Sequence, residues 1–180
     1  MGTYSVGSQA VAESLTIQAI SSTQHQITHL PEKISCYGCP RKFRRYPDMI
    51  IHLEGRGCPS GISIEELNRS AAMCFQWKKY LDKPFREGLL AGDDSYRSDP
   101  DGLPFKCPRC EESFPLLSSM FMHIWSPSCG QGLNGGPIKK LKRWLWKRLH
   151  WRKQHREGGV GLDMDEATQA FQVMALHASF

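Results

Sequence analysis

At 180 residues the chain has room for one compact domain, or one domain with tails. A hydrophobic content of 40% with five tryptophans suffices for a real core, while seven cysteines, an odd number, argue against a secreted disulfide scaffold. The formal charge of +5 is concentrated: residues 139–156, KKLKRWLWKRLHWRKQHR, hold nine Lys and Arg and no acid, and the remainder carries a formal −4.

The N-terminal MGTYSVGSQAVAESLTIQAI has neither a basic n-region nor a continuous apolar h-region, and Val6 breaks the myristoylation pattern. No run approaches the roughly 18 apolar residues that span a bilayer. The expectation is an intracellular, soluble, reduced protein. Residues 1–33 are rich in Ser, Thr, Gln and Ala, with Ile and Leu spaced too loosely for a regular element, and read as a flexible arm. Residues 34–60 form the first cysteine-bearing unit. In the connecting segment 61–92, Ser63 and Glu66 make a capping box, and Ile64, Leu67, Ala71, Cys74, Phe75 and Leu81 predict a helix over about 64–82. A shorter helical stretch around 84–91 ends at Gly92. Residues 93–104, with Asp, Pro and Gly, read as an exposed acidic loop. The cysteine pattern returns at 105–131, a basic amphipathic helix follows at 137–156, and 162–178 predicts a last helix opened by Asp163 and Glu166.

The two cysteine units are a repeat with an offset of 71 residues. Cys36-x2-Cys39-x12-His52-x5-Cys58 and Cys107-x2-Cys110-x12-His123-x5-Cys129 have identical spacings, and Phe43 and Met49 fall on Phe114 and Met120. A CxxC knuckle offers two thiolates to one ion, and a helix brings an imidazole and a third thiolate to close a tetrahedron. A unit this small cannot fold on apolar burial alone; structural zinc supplies roughly 10–16 kcal/mol of apparent free energy. Six residues separate each histidine from its last cysteine, about 240° of continuous helix, so the helix must break before that cysteine returns to the metal. Gly55 and Gly57 in the first copy, and Pro127 in the second, are the expected breakers. Cys74 lies outside both sets and reads as a buried thiol.

On these residues both units resemble C2H2-type zinc fingers in the Cys-Cys-His-Cys variant. The wording HLEGRGCPSG, followed by a helix, a second unit and RWLWKR, is similar to uncharacterised C2H2-domain-containing proteins of filamentous fungi over about residues 34–150. The resemblance implies two Zn2+ per chain and a nuclear or regulatory setting, with no established activity. The expected fold is α+β and mainly helical: two ββα zinc-finger units joined by a helix, followed by the basic helix, packed as one zinc-stapled domain with mobile termini.

Base-reading fingers use helix positions that hold Arg45, Asp48 and Ile51 in the first unit and Leu116, Ser119 and Met122 in the second. Arg45 suits base readout; Ile51, Leu116 and Met122 offer no hydrogen bond to a base edge. Ile50, Ile51, Phe121, Met122 and Trp125 make the finger helices apolar, which predicts that they face protein, with the rest of this chain the nearest candidate. The 48 residues between Cys58 and Cys107 are too many for tandem fingers tracking a groove.

On a helical wheel, Ile138, Leu141, Trp144, Leu145, Leu149 and Trp151 share one arc. Lys139, Lys140, Lys142, Arg143, Lys147 and Lys153 occupy the other side with Trp146, while Arg148 and Arg152 interrupt the apolar arc. One reading packs the apolar face on the second finger and leaves a solvated cationic face. The functional readings are phosphate-backbone binding, with Trp146 as a stacking surface, a calmodulin-like partner, an anionic membrane surface, or nuclear import through KKLKR. Four protein ligands per ion leave no open position for water, so no catalytic role is expected. Two hypotheses result: a non-catalytic protein-interaction module, or a nucleic-acid binder of low sequence selectivity using the basic helix and Arg45. A protein partner is expected, nucleic acid is the alternative, and neither a membrane nor a small-molecule substrate is expected.

Overall fold

A computed structural model of the chain describes residues 29–157, with side chains through His150. The arm up to residue 28 and the helix predicted at 162–178 lie outside the described residues. The fold is α+β and mainly helical: β1 (Ile34–Ser35), β2 (Lys42–Phe43), α1 (Tyr46–Glu54), α2 (Ile64–Met73), α3 (Arg86–Ala91), β3 (Phe105–Lys106), β4 (Ser113–Phe114), α4 (Leu117–Trp125) and α5 (Gly136–Glu157), with three single 3-10 turns.

Each strand pair is an antiparallel hairpin in the same register, Ile34 opposite Phe43 and Phe105 opposite Phe114. Each hairpin is followed by a nine-residue helix. Tyr46, at the start of α1, meets Phe121 in the middle of α4 with ring centroids 4.7 Å apart. At the other end, Glu54 Oε1 accepts the Ser118 N–H across 3.0 Å. The two helices therefore run antiparallel against each other. Met49, Ile50, Leu53, Leu117, Met120 and Phe121 are fully buried. A fully buried Ile, Leu or Phe stabilises the fold by about 1.5–3 kcal/mol, so this contact is a principal part of the core.

α2 starts where the capping box predicts, with Ser63 Oγ accepting the Glu66 N–H at 3.3 Å. It stops at Met73, not at 82, because Cys74 is extended. Past a 3-10 turn at Trp77–Lys79 the chain pairs with the second hairpin instead. Leu81 bridges Phe105, Lys106 donates its N–H to Tyr80 O, and Asp82 donates to Pro104 O. The Lys106 ammonium pairs with Asp82 at 2.6 Å. Leu81 matched a helical period, yet strand pairing overrides that local signal. The segment 93–104 is likewise not wholly exposed: Tyr96 is buried and receives a 2.9 Å bond from Asn68. Gly102 is required there, because a Cβ would stand 1.8 Å from Tyr96 O.

α5 packs against α2. Trp144 Nε1–H donates to Ser70 O at 2.7 Å, and Arg148 Nε–H donates to Ser70 Oγ at 3.2 Å. Ile138, Leu141, Leu145 and Leu149 are fully buried. The apolar arc predicted from the wheel is thus the buried face. The helix of the second unit packs against α1, and α2 packs against α1, α3 and α5.

Candidate metal centres

The eight predicted ligands converge as two groups of four. Cys36, Cys39, His52 and Cys58 form one, and Cys107, Cys110, His123 and Cys129 the other; within each, the ligand atoms all lie within 4.8 Å of one another. In the first group the Cys36 and Cys58 sulfurs are 3.7 Å apart, and Cys39 Sγ is 3.5 Å from His52 Nε2. The corresponding distances in the second are 3.6 and 3.2 Å. A tetrahedron with zinc–sulfur bonds of about 2.3 Å and zinc–nitrogen bonds of about 2.0 Å has edges of roughly 3.5–3.8 Å, so both sets fit one ion each. Three thiolates and an imidazole are a donor set suited to zinc.

The local fold delivers these atoms by the same route twice. The hairpin holds the CxxC knuckle, with Cys36 N–H donating to Arg41 O and Cys107 N–H to Glu112 O, both at 2.9 Å. Phe43 packs against His52 at 5.1 Å and 43°, and Phe114 against His123 at 5.0 Å and 44°. Each phenylalanine sets the tilt of its imidazole. The helix then ends early enough for the last cysteine to return. α4 stops at Trp125 because Ser126, preceding Pro127, is extended. In the first unit, however, the left-handed residue is Arg56 (φ 56°), while Gly55 stays at φ −77°. The glycines flank the reversal rather than make it.

The electrostatics match a cation-binding cluster. Burial pushes the Cys36 thiol up to about 12 and the Cys107 thiol up to about 11. At Cys58 burial acts upward, but hydrogen bonds with Ser60, Cys36 and Cys39 together outweigh it and hold this thiol below its usual range. At Cys129 the Gln131 N–H is the largest of several lowering influences. Each group thus pairs a thiol held below its usual range with one held above it, and metal binding would release protons. Burial and the nearby Arg41 charge lower the His52 pKa, favouring the neutral imidazole a metal requires. His123 instead presents Nδ1 to Glu112 Oε2 at 3.2 Å, a carboxylate that fixes the ring's orientation.

The basic candidates do not form one surface. Arg45 is held in a bidentate pair by Asp48, with Nε to Oδ2 at 2.9 Å. Lys142 is half-buried: its ammonium donates to Asn134 Oδ1 at 3.1 Å, lies 4.8 Å above the Tyr46 ring, and has its pKa lowered by burial. Arg148 is buried on Ser70. Lys139, Lys140, Arg143 and Lys147 are exposed. Arg152 and Lys153 continue α5 with side chains outside those described. Of the apolar residues on α1 and α4, Ile50 and Phe121 are buried between the helices, whereas Ile51, Met122 and Trp125 stay exposed.

Sequence reasoning missed the Glu54 cap, the Glu112–His123 pair and the buried hydroxyl pair between Tyr37 and Tyr46 at 2.7 Å. The one available signal was Leu116, a helix start with no capping side chain of its own. Against family models, curated proteins and solved structures, nothing matches the chain.

Proposed function

We propose that the chain is a non-catalytic zinc-binding module, in which two Cys-Cys-His-Cys zinc fingers staple a single scaffold for macromolecular interaction. The observation that carries this reading is the pair of Cys3His clusters, each bringing four protein ligand atoms within 4.8 Å of one another. A closed set leaves no position for a reacting water, in contrast to catalytic zinc sites. The antiparallel contact between α1 and α4 supports a structural role, since the two helices bury Ile50 and Phe121 in a shared core. Arg45, the best base-reading candidate, is already bound to Asp48.

Native mass spectrometry of the freshly purified full chain tests the reading. Two zinc ions per chain, lost together with the cooperative melt on chelation, are expected. A folded, metal-free protein would overturn it. The second reading, nucleic-acid binding through α5, is favoured by its outward cations.

A further inference from the structure

We infer that the outer face of α5, with Phe75 beside it, is a binding surface for single-stranded nucleic acid, recognised through phosphates and base faces without a sequence code. It rests on the proposed module only for a folded, zinc-loaded scaffold.

Lys139, Lys140, Arg143, Trp146, Lys147 and His150 fall within about 120° of the helix circumference, in a stripe about 16 Å long. Among the described residues, no carboxylate forms an ion pair with Lys139, Lys140, Arg143 or Lys147. Unpaired cations on one stripe are the footprint of a polyanion that releases counterions. Within that stripe Trp146 is 51% exposed and lies nearly parallel to His150, 5.2 Å between ring centroids and 19° between planes. One ring face is backed by the imidazole, and half of the side chain is exposed. Phe75, 61% exposed, carries the Lys140 ammonium 5.6 Å from its centroid. Cations alternating with open ring faces are what an unstacked strand requires, because every base has a π face.

The inner face of α5 decides against the other partners of a basic amphipathic helix. A membrane surface or a helix-clamping protein takes up the apolar arc. Here Ile138, Leu141, Leu145 and Leu149 are fully buried on the scaffold, and Trp144 is hydrogen-bonded to Ser70. Only the cationic, aromatic face remains. An acidic peptide would match the charge but leave the rings without a partner, and a duplex keeps its base faces stacked.

The test is fluorescence anisotropy of the full-length, two-zinc protein with a labelled, unstructured single strand of mixed sequence, about 20 nucleotides long. Micromolar binding is expected, with a log–log salt slope of about −3 for four phosphate contacts. Lys139→Glu with Arg143→Glu should abolish it. Trp146→Ala should weaken it about tenfold, and Trp146→Phe should restore most of that loss. The matching duplex should bind more weakly. Because all these side chains are exposed, each variant should keep two zinc ions, and metal content in the same samples separates a failed scaffold from a failed surface. Zinc-loaded protein that does not bind the strand, binding indifferent to Trp146→Ala, or equal affinity for phosphatidylserine vesicles would overturn the inference.

Discussion

The two cysteine units have the same ligand geometry in different surroundings. The first is set into the core: Cys36, Tyr37, Cys39 and Cys58 are all buried, and Gly38 lies so close to Ser60 that a Cβ would fall 2.0 Å from its hydroxyl. The second stands at the edge, with Cys107 buried, Cys129 half-buried and Cys110 exposed. Its knuckle carries Arg109 where the first has Gly38, and that guanidinium bonds Gly130 O at the surface. Beside the histidine, the first has Arg41 and the second Glu112. Identical ligand spacing therefore fixes the coordination shell but not what the ion supports.

The largest expected effect follows from that contrast. Cys58→Ser and Cys129→Ser should each reduce the chain to one zinc by native mass spectrometry. A structural zinc contributes roughly 10–16 kcal/mol of apparent free energy, against about 5–15 kcal/mol for the stability of a whole domain. Losing the first ion opens the core around Met49, Ile50 and Leu53, so Cys58→Ser should show no cooperative melt at all. Cys129→Ser should keep a cooperative transition, lowered by roughly 10 °C or more. Superimposable melts would erase the distinction between a core staple and an edge staple.

Chemical access should separate the units next. Timed alkylation by N-ethylmaleimide, read by peptide mass spectrometry, should modify Cys110 first and Cys129 second. Cys36, Cys39 and the fully buried Cys74 should react roughly tenfold or more slowly, since a thiol must be reachable as well as ionised. First modification at Cys36 or Cys39 would contradict the burial argument.

Much of this arrangement was legible in the sequence, and the boundary is physical. Ligand spacing, the Ser63 capping box and the two faces of α5 are set by local period and covalent reach, which sequence records directly. The end of α2, the Tyr80–Asp82 strand pairing and the seat of α5 depend on what lies across the core. Leu81 has the same apolar character whether it continues a helix or pairs with Phe105. Likewise, the apolar residues of α1 and α4 indicated a protein-facing surface, but only packing divides buried Ile50 and Phe121 from exposed Ile51, Met122 and Trp125.

The smallest effect tests the pairing of α1 and α4 themselves. At equivalent positions of the repeat, α1 starts with Tyr46-Pro47 and α4 with Leu117-Ser118, while α1 ends in Glu54 and α4 in Trp125. Pro47 has no N–H to satisfy. Ser118 has one, and Glu54 accepts it from the neighbouring helix. Burial raises the Glu54 pKa and the Ser118 contact opposes that rise, so the ionised carboxylate is held at some cost. With the folded pKa above the unfolded one, this cost is full at neutral pH and is relieved as the pH falls through the folded value. Glu54→Ala removes the acceptor and should lower stability by about 1–2 kcal/mol in denaturant unfolding. Glu54→Gln keeps an acceptor without the charge and should stay within about 0.5 kcal/mol of the parent. A Gln variant as unstable as the Ala variant would mean that charge at the start of α4, rather than the hydrogen bond, holds the two helices in register.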